Sequence, residues 1–223
     1  MDPKGHERKV YFDKKMGELQ KLLLQMGGLV EESIARAVQS LKEQDLELAE
    51  AVYRDDDNID EMESKIEEGC LTFIATQQPM AKDLRKISTL LKMVTNLERM
   101  ADNAVNISQV TCRIGREPLI KPLVDIPRMT QITQRMVKDA LDSYIQEDVG
   151  LAVQTIDMDD EVDQLNAQVF RELLTIMMEN PRTITQATHL ILVSRYLERI
   201  ADHATNIAEE VIFLVTGEKH IRQ

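Results

Sequence analysis

Tryptophan is absent from this 223-residue chain, and aromatic residues make up only 4% of it. So few rings argue against a β-sandwich or other sheet-rich fold. With eight glycines and no Walker loop or GxGxxG, a nucleotide-binding α/β domain is excluded. The two cysteines, Cys70 and Cys112, form no CxxC pair and are too few for a disulfide framework. They read as small packing residues in a reducing compartment. No apolar run approaches the ~18 residues of a membrane span, and MDPKGHERKVYFDKK lacks the apolar core of a signal peptide. Basic charge is also scarce: the net charge is −12, so a phosphate backbone meets no basic face and nucleic acid is not an expected partner. HExxH, GxSxG and the Glu-x-x-His of di-iron bundles do not occur, and no nucleophile with its base is identifiable. The expectation is a cytoplasmic, all-α protein that is not an enzyme.

What remains is helical periodicity. Between Phe12 and Lys42 apolar residues recur three and four apart, as in Leu19, Leu22, Leu23, Met26, Val30, Ile34, Val38 and Leu41. Gly27-Gly28 inside this run is either a weak point or a place of close helix approach. Asp45 suits an N-cap, and the next stretch runs to about Gln77 before Pro79. A third helix spans about Ala81 to Ile114, with Gly115 as its C′ residue. Pro118 and Pro122 mark a linker. Asp125 can cap a fourth helix with Pro127 in its first turn. A fifth is expected without interruption from about Asp148 to Glu179, and a sixth from about Arg182 to Thr216, closed by Gly217. The predicted organisation is a tail over 1–7, a three-helix bundle over 8–115, a Pro-rich linker over 116–125, a second three-helix bundle over 126–217 and a tail over 218–223.

The two bundles are copies. NLERMADNAVNISQ, from Asn96, matches YLERIADHATNIAEE, from Tyr196, at an offset of 100. DLELAEAVYRDDDNID, from Asp45, matches DVGLAVQTIDMDDEVD, from Asp148, at an offset of 103. Two segments agreeing in order and nearly in spacing define a tandem duplication of two three-helix bundles, six long helices in all.

Each copy carries two acid-xxx-acid pairs: Asp56/Asp60 and Glu98/Asp102, then Asp159/Asp163 and Glu198/Asp202. Residues four apart share a helix face, so each pair projects two like charges together, at a cost of a few tenths of a kcal/mol. Asp60 and Glu98 are both 19 residues from Pro79, and Asp56 and Asp102 both 23. In a tight helical hairpin such residues stand at one level. Asp163/Glu198 and Asp159/Asp202 are equidistant in the same way from the Asn180–Pro181 junction. Each hairpin thus gathers four carboxylates, and a divalent or trivalent cation would neutralise them. Oxygen-only ligands favour Mg, Mn or Fe over Zn. Asn106 and Asn206, four residues past Asp102 and Asp202, are candidate auxiliary ligands. Arg99 and Arg199 offer an internal alternative, pairing the acids without metal. His203 is expected on the helix surface, with an auxiliary ligand as the alternative.

The two LER(M/I)AD segments followed by NI, the paired acids, MGGLVEE near the start, QQP at Gln77 to Pro79 and DLR at Asp83 to Arg85 resemble the PhoU family of phosphate transport regulators. That resemblance covers nearly the whole chain and implies two three-helix bundles whose acidic motifs bind metal clusters. The eight acids named above are then the ligands. Ala101 and Ala201 stand where the family usually has glycine. The resemblance further implies a regulator at the inner membrane face, reached only through its partners. It would couple the ATP-binding subunit of a phosphate ABC importer to a sensor histidine kinase, and inhibit signalling when phosphate is plentiful. Long apolar helix faces suggest a homodimer. The alternative is a bundle for metal storage or delivery.

Overall fold

A computed structural model describes residues 3–77 and 79–218, with side chains from Val10 onward. Seven α-helices occur among these residues: α1 Pro3–Glu43, α2 Leu46–Gln77, α3 Ala81–Ile114, α4 Asp125–Gln146, α5 Val149–Asp157, α6 Asp159–Glu179 and α7 Ile184–Thr216. A single 3₁₀ turn, Pro181–Thr183, precedes α7. Of the expected tails, residues 1–2 and 219–223 lie outside the described residues; 3–7 are not a separate tail, since the backbone of α1 is already helical from Pro3.

Local signals explain most boundaries. Asp45 Oδ1 accepts the Leu48 N–H, and Asp148 Oδ1 accepts those of Gly150 and Leu151, so both copies start their second helix on an aspartate cap. Gly115 and Gly217 end α3 and α7 at φ 64° and 80°, a conformation that favours glycine. Asp125 departs from expectation. It is the first residue of α4 rather than its cap, and its Oδ2 accepts from Gln168 Nε2.

The predicted fifth helix is in fact two. Met158 interrupts it, and Glu161 N–H reaches back only three residues to the Met158 carbonyl. The break starts a new helix at Asp159, Asp160 and Glu161, placing three acids in a first turn where the backbone dipole favours negative charge. In the first copy α2 passes through Asp55, Asp56 and Asp57 without interruption.

Helices α1, α2 and α3 pack as one bundle, and α4, α5, α6 and α7 as the other. The bundles do not hang from the linker. They lie side by side, α3 against α7 and α1 against α4, and share one apolar core in which Leu97, Met100, Leu197 and Ile200 are fully buried. The linker is tied down by side-chain amides: Gln44 donates to the Gly115 and Glu117 carbonyls, and Gln186 bonds Ile120 N–H and the Pro118 carbonyl. At the α1–α4 crossing a Cβ on Gly27 would sit 2.2 Å from Leu141 Cδ1, whereas nothing lies within 4 Å of one on Gly28. Of the two readings of this pair, close approach holds, and for Gly27 alone.

That contrast sets a test. Gly28→Ala should stabilise by about 0.5–1 kcal/mol, the usual gain over glycine inside a helix. Gly27→Ala should forfeit that gain because Leu141 must move. Urea denaturation of both variants measures the difference.

Candidate functional site

Asp56 and Asp60 lie on α2, Glu98 and Asp102 on α3. The cores on either side fix both helices: Val52, Ile59 and Ile66 anchor α2, and Val94, Leu97 and Ala101 anchor α3. The acids project from the rim of these apolar faces. Asp56 and Glu98 are half-buried, Asp60 and Asp102 exposed.

Electrostatics shows that they share one field. Asp56 is pushed up to about 6, first by burial, then by Asp60, Asp102 and Asp57. Glu98 is pushed up to about 7 by burial, then by Asp102, Glu63 and Asp60, against a weak opposing pull from Arg99. Glu63 is a fifth acid that the pairing rule missed. It is itself raised by burial, then by Glu67, Asp60 and Asp102. Its position, seven residues past Asp56, was the available signal: two helical turns return to the same face.

In the second copy, Asp159 and Asp163 start α6 and face Glu198 and Asp202 on α7. Glu198 is raised by burial, then by Asp202, Asp163 and Asp159, while Arg195 pulls it down. Arg195 Nη1 lies 2.7 Å from Glu198 Oε2 and also donates to Oε1 at 2.9 Å. Thr95 holds the equivalent place in the first copy, so Glu98 has no such partner. The arginines singled out from sequence behave differently. Among the described residues neither Arg99 nor Arg199 forms an ion pair with an acid.

The donor set suits a hard cation. Asp56 Oδ1 is buried and accepts no hydrogen bond, an orphaned oxygen of the kind a cation satisfies. Among the described residues no three acids are yet drawn close enough to hold an ion in common. Asp60 and Asp102 are exposed, so their carboxylates face solvent rather than packed neighbours.

Asp102 and Asp202 also line a groove of about 670 Å³ between α3 and α7, together with Arg99, Arg199, Asn106 and Asn206. The predicted auxiliary asparagines thus stand in this groove. Asn206 Nδ2 donates to Asn96 Oδ1, which His203 Nδ1 also meets at 3.0 Å. His203 is partly buried rather than on the surface, and burial, Arg99 and Arg199 lower its pKa. Both cysteines are free, Cys70 buried and Cys112 exposed.

A duplicated helical bundle with two acid pairs on each hairpin defines a class of two-copy helical proteins. Known proteins of this class match closely. The PhoU domain family matches residues 23–111 and 126–211, so this chain belongs to the PhoU family. An Aquifex aeolicus protein named phosphate-specific transport system accessory protein PhoU homolog is 44% identical over 214 residues, covering 94% of this chain and 97% of its own. A Clostridium acetobutylicum protein of the same name is 39% identical, covering 93% and 95%. The crystal structure of PhoU from Pseudomonas aeruginosa superposes with a TM-score of 0.89 at 38% identity, over 93% of this chain and all of that one. The phosphate transport system regulatory protein PhoU from Streptococcus pneumoniae gives 0.88 at 27% identity, over 95% and 100%.

The raised carboxyls give the metal-free protein a signed pH dependence. A carboxyl whose folded pKa exceeds its unfolded value stabilises the fold at low pH and loses that contribution as pH rises through the folded pKa. For Glu98 the window runs from 4.5 to about 7, and for Asp56 from 3.8 to about 6. The melting temperature of chelator-treated protein should fall across this range. A Glu98→Gln, Asp56→Asn variant should show a flatter profile in the same calorimetric series.

Proposed function

We propose that this protein is a metal-binding helical adaptor that regulates phosphate uptake and phosphate-responsive signalling. It docks on the ATP-binding subunit of a phosphate ABC importer and on a sensor histidine kinase, and it holds the kinase in its inhibiting state when phosphate is plentiful. The observation that carries this reading is membership of the PhoU family along nearly the full chain, with relatives named as accessory and regulatory proteins of phosphate transport. Among the described residues no helix is long and apolar enough to cross a membrane, which accords with reaching the inner membrane face through partners. The adaptor works in the cytoplasm, as a homodimer, and its role is non-enzymatic.

The metal reading rests on the quartets. Asp56, Asp60, Glu98 and Asp102 would hold cations in one half, and Asp159, Asp163, Glu198 and Asp202 in the other. Iron, manganese or magnesium suits these oxygen ligands. Bound cations would neutralise the repulsion that raises Asp56 and Glu98, and stiffen each hairpin against its neighbour. A second reading, metal storage or delivery, draws on the exposure of Asp60, Asp102, Asp163 and Asp202, which leaves the ions open to exchange.

Two experiments separate these readings. Elemental analysis of a Glu98→Ala, Asp102→Ala variant should find half the wild-type metal, with the second half still loaded; unchanged metal would contradict the assignment. Pull-downs with the importer's ATP-binding subunit and the sensor kinase, with metal supplied, should recover both. Recovery of neither would end the adaptor reading, and rapid metal release to a chelator without effect on binding would favour storage.

A further inference from the structure

The groove between α3 and α7 brings together what the duplication keeps and what it changes. Arg99 and Arg199 are equivalent residues of the two copies, and both line it. In a chain with 39 acidic residues, neither guanidinium meets a carboxylate within ion-pair distance among the described residues. Both arginines are exposed on the groove and both lower the His203 pKa, so their fields overlap there, and planar five-donor groups of this kind invite an oxyanion.

The second observation is independent of charge. Thr205 lines the same groove at only 5% exposure, and its Oγ1 is buried with no hydrogen-bond partner. Its equivalent in the first copy is Val105, buried at 6% and nearly identical in shape. Packing at this position is therefore met by an apolar side chain. The hydroxyl adds a donor that the helix does not use, since it does not bond back to its own backbone. Asn106 also lines the groove, whereas the Asn206 amide already donates to Asn96 Oδ1.

We propose that this groove binds a tetrahedral oxyanion, held by the Arg99 and Arg199 guanidiniums with the Thr205 hydroxyl at its floor. Asp102, Asp202 and Glu209 also line the groove and oppose an anion. Two of these three belong to the quartets. Cations bound there would cancel their charge and leave the arginines to act, so cation and oxyanion should each tighten the other's binding by the same factor. This coupling rests on the metal reading of the quartets, whereas the oxyanion site itself does not.

Isothermal titration of the full chain with inorganic phosphate, metal-free and manganese-loaded, tests the proposal, with manganese stoichiometry measured on the same samples. Phosphate should bind in both states and more tightly with manganese. Arg99→Ala, Arg199→Ala should weaken it about tenfold or more, as expected for lost charge-assisted hydrogen bonds. Thr205→Val, which copies the first half and keeps the packing, should weaken it about three- to tenfold. Phenyl phosphate, run in parallel, reports the other source of the same chemistry: binding of the ester alone supports the site and assigns it to a phosphoryl group on a partner side chain. Absence of binding by either compound at millimolar concentration overturns the site. So does phosphate affinity unchanged in both variants, which would place the anion outside this groove. Manganese binding without its effect on phosphate overturns the coupling alone, and absence of manganese binding overturns the metal reading while the metal-free titration still decides the site.

Discussion

Carboxylates on neighbouring helical turns repel, and a tight antiparallel hairpin that sets two such pairs at one level doubles the problem. Ordinarily a chain escapes by splaying its helices or turning the acids into water. Here the helices cannot splay, because Val52, Ile59 and Ile66 of α2 and Val94, Leu97 and Ala101 of α3 are locked into a continuous core. The apolar packing, worth roughly 1.5–3 kcal/mol for each large buried side chain, outweighs a repulsion of a few tenths of a kcal/mol per pair. The fold therefore keeps the acids in one field, which raises Asp56 and Glu98 and favours their protonation.

The two copies meet this constraint differently. In the second, Arg195 grips Glu198 from one turn away, and the break at Met158 puts Asp159 in the first turn of α6, where the helix dipole favours its charge. The first copy has neither device: Thr95 replaces the arginine, α2 runs straight through, and Glu63 adds a fifth negative charge. Asp56 and Glu98 accordingly take up protons near neutrality. Of the two equivalent glutamates, Glu98 of the first hairpin is therefore raised further than Glu198 of the second.

Much of this was legible in the residues. Helical periodicity, the aspartate caps and the two glycine stops define the long helices, and hairpin symmetry about Pro79 and Asn180–Pro181 places the two acid pairs of each copy on facing helices, although among the described residues no three acids stand close enough to share an ion. What the sequence hid has a common cause. Spacing fixes register within a hairpin but says nothing of how one hairpin lies against another. The α3–α7 packing, the groove it forms, the burial of His203 and the close approach of Gly27 to Leu141 all depend on that placement. The break at Met158 was hidden for a different reason: its flanking residues keep the apolar pattern, and only the dense acids after it favour a fresh helix start. Glu63 lies seven residues from Asp56, so spacing of four alone passes over it although it shares the same helix face.

Placing α3 beside α7 also gives the duplication a use beyond repetition. Asp102 and Asp202 each belong to one quartet and to the shared groove, so neutralising either hairpin changes the field in which Arg99 and Arg199 act. The quartets are the part of this arrangement on which the rest leans. Anomalous diffraction at the manganese edge, from crystals grown with the metal, tests them most directly. The account predicts two groups of peaks within coordination distance of carboxylate oxygens, one on the α2–α3 hairpin and one on the α6–α7 hairpin. An anomalous map without signal at either place would contradict it.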